Sequence, residues 1–142
     1  MSNKSERISH LIPAATPGGP DPHYAGYFDH FNRGLFYEAH DVLEQLWLKD
    51  RHGPNGAFYK GLIQLAGAFV HLKKERLRPA AALFKLAEAN LAKYPFSHED
   101  LSVSTVLALI HHWLASLEKS DYSTNPLHTE PRPLLRLLSV PE

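Results

Sequence analysis

The sequence predicts an all-α fold, a single-domain antiparallel bundle of about five helices around a buried central one. Three observations carry this reading. From His23 to about Ser120 the apolar residues recur at spacings of three and four. No stretch alternates with period two. One segment, Asn55 to Lys74, is apolar almost all the way round, and a helix without a solvated face belongs in the middle of a bundle.

Each element can be justified in turn. Residues 1–22 read as an extended or disordered tail, because Pro13, Pro17, Gly18, Gly19, Pro20 and Pro22 leave no apolar period. Tyr24, Tyr27, Phe28 and Phe31 then mark one face of a short first helix, and Asn32-Arg33-Gly34 breaks it. The second helix spans about Leu35 to Lys49, with Leu35, Ala39, Val42, Leu43 and Leu46 facing inward. Arg51-His52-Gly53-Pro54 closes it, and Pro54 fits the first position of the third helix. The fourth helix is expected to open at Pro79 and to carry Leu83, Phe84, Ala87, Leu91 and Tyr94 before Pro95 ends it. For the fifth, Ser97 reads as N-cap with Asp100 three residues on and Phe96 stapled onto Leu101, and Val103, Val106, Leu107, Ile110, Trp113, Leu114 and Leu117 face inward. The bundle domain is thus residues 23–120. Residues 121–142 are Pro-rich, and Leu134, Leu135, Leu137 and Leu138 are expected to dock on the bundle or on a second subunit, as in a homodimer.

Composition removes several function classes. The chain has 142 residues, 44% apolar and 21% charged, which suits one globular domain. Fifteen basic and fifteen acidic side chains cancel, so the basic surplus that drives non-specific nucleic-acid binding is missing. With no cysteine there is no disulfide scaffold, thiolate nucleophile or Cys-ligated metal. The stretch Met1–Arg7 is polar and no run approaches membrane-spanning length, so a soluble, cytoplasmic protein without a membrane partner is expected.

The candidate chemistry lies on the second and third helices. His40 and Glu44 are four residues apart and share a face, with Trp47 one turn on. An imidazole and a carboxylate so placed can ligate one cation or form an acid–base pair. Glu38 is two residues from His40, about 200° around the helix, on the flank of Asp41 and Gln45. On the third helix Lys60, Gln64, Gly67 and His71 form one polar stripe along an otherwise apolar rod. That stripe must meet water, a ligand or the polar groups of a neighbour, and Gly67 leaves room for a close approach. The structural alternative is that His40, Gln64 and His71 are core-edge groups satisfied by the adjoining helix, with the Lys60 stem lying along the rod. His111 and His112 do not share a helical face and carry no such signal. No zincin helix, di-iron Glu-x-x-His pair, nucleophile elbow, P-loop or dinucleotide fingerprint is present.

Two stretches, Phe31-Asn32-Arg33-Gly34-Leu35-Phe36-Tyr37-Glu38-Ala39-His40-Asp41-Val42-Leu43-Glu44-Gln45-Leu46-Trp47 and Phe58-Tyr59-Lys60-Gly61-Leu62-Ile63-Gln64-Leu65-Ala66, followed by His71, resemble the signature of the prokaryotic "domain of unknown function 309" family. The resemblance runs from about Tyr27 through the fourth helix, with a weaker continuation to Leu117. It implies a small all-helical bundle and brings the label of a predicted metal-dependent hydrolase. Its motif polar positions fall here on Asn32, Glu38, His40, Glu44, Trp47, Tyr59, Gln64 and His71.

Three functions compete at this stage. In a metal-dependent hydrolase, His40, Glu44 and His71 would hold zinc, manganese or iron. Glu38, Glu44 and Tyr59 are then the catalytic candidates, with Asn32, Trp47 and Gln64 lining the pocket. In a helical interaction module of tetratricopeptide type, suggested by Gly34–Ala39 and Ala80–Leu91, the ligand would be a peptide held in a groove rather than a small molecule. In the third reading Glu38, His40, Gln64 and His71 only lock the bundle.

Overall fold

A computed structural model describes residues 9–13 and 19–139. Among them the chain forms five α-helices: α1 (Pro22–Asn32), α2 (Phe36–Asp50), α3 (Gly56–Lys73), α4 (Leu77–Leu91) and α5 (Val103–Lys119). A two-stranded hairpin, β1 (Ser97–His98) and β2 (Leu101–Ser102), precedes α5. The fold is all-α, as the periodicity requires. Part of the expected tail, residues 1–8 and 14–18, lies outside the described residues, as do residues 140–142 at the other end.

The helix ends follow from local chemistry. Asp21 caps α1 by accepting the His23 amide at 2.8 Å, and Pro22 occupies the first turn, where no N–H is needed. At the far end Gly34 sits at φ 77°, which lets its amide reach the Phe31 carbonyl and the Leu35 amide reach that of His30. This paired closure needs a left-handed residue, the conformation glycine adopts without strain. α3 ends in the same way, but with Glu75 at φ 57°; its carboxylate accepts from Asn125 and pairs with His128, which holds the strained residue in place.

Three boundaries differ from expectation. Pro54 stands just before the N-cap Asn55 rather than at the first position of α3, and its carbonyl accepts the Tyr94 hydroxyl at 2.8 Å. α4 opens two residues before Pro79 and ends at Leu91, so Tyr94 lies beyond it. α5 is capped by Ser102, not Ser97. Ser97 and Ser102 instead face each other across the hairpin, whose turn residues Glu99 and Asp100 both have positive φ. Strands of two residues are too short to show a period. Phe96, the proposed staple, is 82% exposed.

α3 is the central rod, flanked by α2 and α4, with α1 packed on α2 and α5 on α4. Phe69 of α3 is the hub of the core. Its ring meets Phe31, Phe36, Phe84 and Trp113 at centroid distances of 5.6, 5.0, 5.2 and 4.9 Å. Tyr27, fully buried, donates its hydroxyl to the Leu62 carbonyl at 2.6 Å. The C-terminal segment runs back over the bundle with Leu135 and Leu137 buried and Leu134 and Leu138 exposed. Leu137 bridges to Leu101 of β2. Among the described residues no helix is long and apolar enough to cross a membrane.

Candidate functional site

α3 turns most of its circumference into the core; Ala57, Lys60, Gln64, Val70 and His71 stay half-covered, and Gly67, between Gln64 and His71, is buried. The polar residues of the sequence stripe are therefore the ones left at the surface. The stripe follows the seam, or channel, along which side chains of α2 and α4 both adjoin α3. At Gly67 side chains of both helices are near. A Cβ built there would lie 3.2 Å from Leu83 Cδ1 of α4 and 4.0 Å from His40 Cδ2 of α2. At one end the Lys60 ammonium sits 4.4 Å from the centroid of the Trp47 ring. In the middle Gln64 Oε1 accepts from Asn90 Nδ2 of α4 at 2.8 Å, and Asn90 Oδ1 accepts from Lys93 at 3.2 Å. On the other wall the Tyr37 and His40 rings stack at 6.4 Å, and Tyr37 is more than half exposed.

His71 stands one turn along α3 from Gly67. Its Nδ1 is covered and has no hydrogen-bond partner among the described residues. Burial, and then the charges of Arg76 and Lys74, hold its imidazole below the usual histidine range, so the neutral ring is favoured. An unpaired covered nitrogen costs about 1–3 kcal/mol, so stability alone does not select histidine at this position.

The structure thus brings His40, Glu44, Trp47, Lys60, Gln64 and His71 to one channel, but it does not assemble the metal or catalytic sets. His40 Nδ1 lies 3.2 Å from Asp41 Oδ1, and its Nε2 lies 4.0 Å from Glu44 Oε2. The two nitrogens of one ring thus face different carboxylates. Among the described residues no group of three His, Asp or Glu side chains is placed to hold a metal ion. The residues present do not fit zinc, manganese or iron held by His40, Glu44 and His71.

The catalytic candidates lie apart from one another. Glu44 faces the channel beside His40. Glu38 lines a separate cavity with Val70, Lys73 and Lys74. Tyr59 faces a hollow of about 410 Å³ bordered by Asp21, Tyr24, Glu99 and Asp100. Burial raises the Tyr59 hydroxyl above the ordinary range against a lowering by Asn55, and burial together with Glu99 raises Tyr24 further. Both phenols stay protonated at neutral pH. Asn32 lies away from the α3 stripe and lines a separate cavity of about 280 Å³ with Phe28, Leu135 and Leu137. Its side-chain amide donates to the Leu135 carbonyl and accepts the Leu135 amide, both at 2.7 Å, and so latches the C-terminal segment to α1.

Sequence reasoning missed the partners that α4 and the hairpin supply. Asn90 reads as an unremarkable helix residue, yet it fixes Gln64. His98 meets Asn55 Oδ1 at 2.6 Å and packs edge-on to Phe58. Nothing in the spacing of either residue announces these contacts.

Fold and channel together define a small helical protein whose central helix keeps one polar edge half-covered. Residues 24–91, which span α1 to α4, match the family model described as "Domain of unknown function (DUF309)". The chain is also similar to an uncharacterized protein of Aquifex aeolicus (strain VF5), 27% identical over 88 residues. That alignment covers 62% of this chain but 26% of the relative, so the chain spans about a quarter of the length of that protein. No solved structure matches.

Proposed function

We propose that the protein is a helical binding module whose recognition surface is the channel over α3 and whose ligand is an extended polypeptide segment. The observation that supports this reading is that the half-covered stripe of α3 carries Lys60, Gln64 and His71 between side chains drawn from two other helices. An extended chain presents amides and side chains in alternation. The channel offers matching partners, with side-chain amides at Gln64 and Asn90 on its floor and far edge, and the apolar surfaces of Trp47, Leu83 and Tyr37 along its sides. A hydrolase would need its groups gathered, and here they are spread over three places.

The test is selection from a random peptide library on the immobilised full-length protein. Enriched peptides should bind the wild type and the Lys85→Ala variant alike. They should lose about tenfold or more in affinity for Gln64→Trp and for Lys60→Glu. Failure to enrich any sequence, or peptides that bind both channel variants as tightly as the wild type, overturns the proposal.

A further inference from the structure

A second concave region lies where the α1–α2 turn, the end of α3 and the C-terminal segment meet. Two cavities of about 210 and 330 Å³ share Leu35, Phe36 and Lys73 as a common wall. Four cations border them: Arg33 and Arg132 on the larger, Lys74 on the smaller, and Lys73 on both. Glu38 and Glu130 are the acidic residues of the same linings, leaving a surplus of two positive charges in a chain whose formal net charge is zero.

Arg33 pairs with Asp29 at 3.6 Å, and the other cations are placed by packing rather than by neutralising carboxylates. Lys73 donates to the Gly34 carbonyl at 2.5 Å, with its ammonium 5.3 Å from the centroid of the Phe36 ring. The Arg132 stem lies so close to Gly34 that a Cβ there would come within 2.9 Å of its Cδ, so the left-handed glycine also makes room for this arginine. Of the two acidic residues, Glu130 already meets His112 at 3.2 Å. Among the described residues no carboxylate pairs with the guanidinium of Arg132 or the ammonium of Lys74. The walls between the cations are apolar, formed by Phe36 and Leu127.

From these observations we infer that this cleft binds a small organic anion, with the phosphate or carboxylate held by Arg132, Lys73 and Lys74 and the apolar body lying on Phe36 and Leu127. A guanidinium and ammonium groups around a concave apolar wall suit such a ligand, because the wall excludes water from the ion pairs it borders. The cleft does not depend on the α3 channel or on peptide binding there.

Titration of the full-length protein with phenyl phosphate, benzoate and inorganic phosphate, followed by amide chemical shifts, tests the inference. Saturable binding of phenyl phosphate or benzoate is expected, tighter than inorganic phosphate, with shifts centred on Gly34, Phe36 and Lys73. Comparison of the two aromatic probes tells phosphate from carboxylate. Affinity should fall about tenfold in Arg132→Gln and also in Lys74→Gln, and should stay unchanged in Lys93→Gln. The Lys74 variant alters an exposed side chain, so it separates loss of a contact from loss of the fold. No saturable shift with either aromatic probe, equal binding of the neutral benzyl alcohol, or equal affinities across the three variants would overturn the inference.

Discussion

The two sides of α3 differ in what surrounds them. Toward the core, Phe69 touches four aromatic rings from four other elements, and every neighbour is buried. Toward the channel, Gly67 lies one turn or less from Gln64 and His71, and its nearest side-chain contacts are the edge of one imidazole and one leucine methyl. One helix therefore carries a surface optimised for packing and another that leaves interactions open. The proposed binding surface is the side where stability is not maximised.

Breaking the packed side should have the largest effect. Phe69→Ala removes the hub ring and is expected to lower unfolding free energy by about 3–5 kcal/mol in chemical denaturation. A loss below about 1 kcal/mol would mean that the aromatic cluster is not the core it looks like. Glycines on the two sides sharpen the contrast. At Gly61 a Cβ would meet Leu91 Cγ at 2.9 Å and Asn90 Cβ at 3.2 Å, so Gly61→Ala should cost about 1–3 kcal/mol through overpacking. At Gly67 the nearest atom, the end of Leu83, stands 3.2 Å away and can give, and the gain in helix propensity of about 1 kcal/mol offsets the contact. Gly67→Ala should therefore be close to neutral in the same assay.

Asn32→Ala probes a different boundary, the latch on the C-terminal segment. Loss of two hydrogen bonds to Leu135 should cost about 1–3 kcal/mol and open the segment after Asn125 to limited proteolysis well before the helices. Unchanged protease resistance would show that Leu135 and Leu137 hold the segment unaided.

The smallest effect, and the one specific to the channel, concerns His71. Replacing it by leucine removes the unpaired covered nitrogen and should leave stability equal or higher by about 1 kcal/mol, while binding of channel-selected peptides weakens. The wild type also carries a pH signature. Because the folded-state pKa lies below the ordinary value of 6.5, the unfolded chain binds more protons between the two. Stability from this residue is thus complete above about pH 6.5 and declines as pH falls toward the folded-state value. In His71→Leu that part of the decline should vanish; an identical pH profile for both proteins would remove the assigned role of burial.

Much of the fold was legible because helices announce themselves through period and through their ends. Gly34 marks a break that only a left-handed residue makes, and the apolar circumference of residues 57–72 identified the central rod. The polar stripe was legible for the same reason: positions 60, 64, 67 and 71 share a face on any helix. What lay opposite them was not. The pairing of Gln64 with Asn90 depends on how α4 docks, and the separation of Tyr59 from His40 depends on α1 and the hairpin covering another side of α3. The hairpin itself was misread as a helix start, because Ser97 and Asp100 satisfy a capping pattern while Glu99 and Asp100 adopt a turn that their side chains only tolerate. Asn32 illustrates the same limit: it lines a cavity, but one away from the α3 stripe, and its partners lie 103 positions away in sequence.

The absence of cysteine makes one measurement especially direct. Single-cysteine proteins Gln64→Cys and Leu65→Cys place a thiol on the channel floor and in the core, one residue apart on α3. With a soluble maleimide, position 64 should react fast and be shielded by a saturating library-selected peptide, while position 65 stays slow throughout. Equal, slow labelling at both positions, or a reactive position 64 that the bound peptide leaves unprotected, would contradict the account.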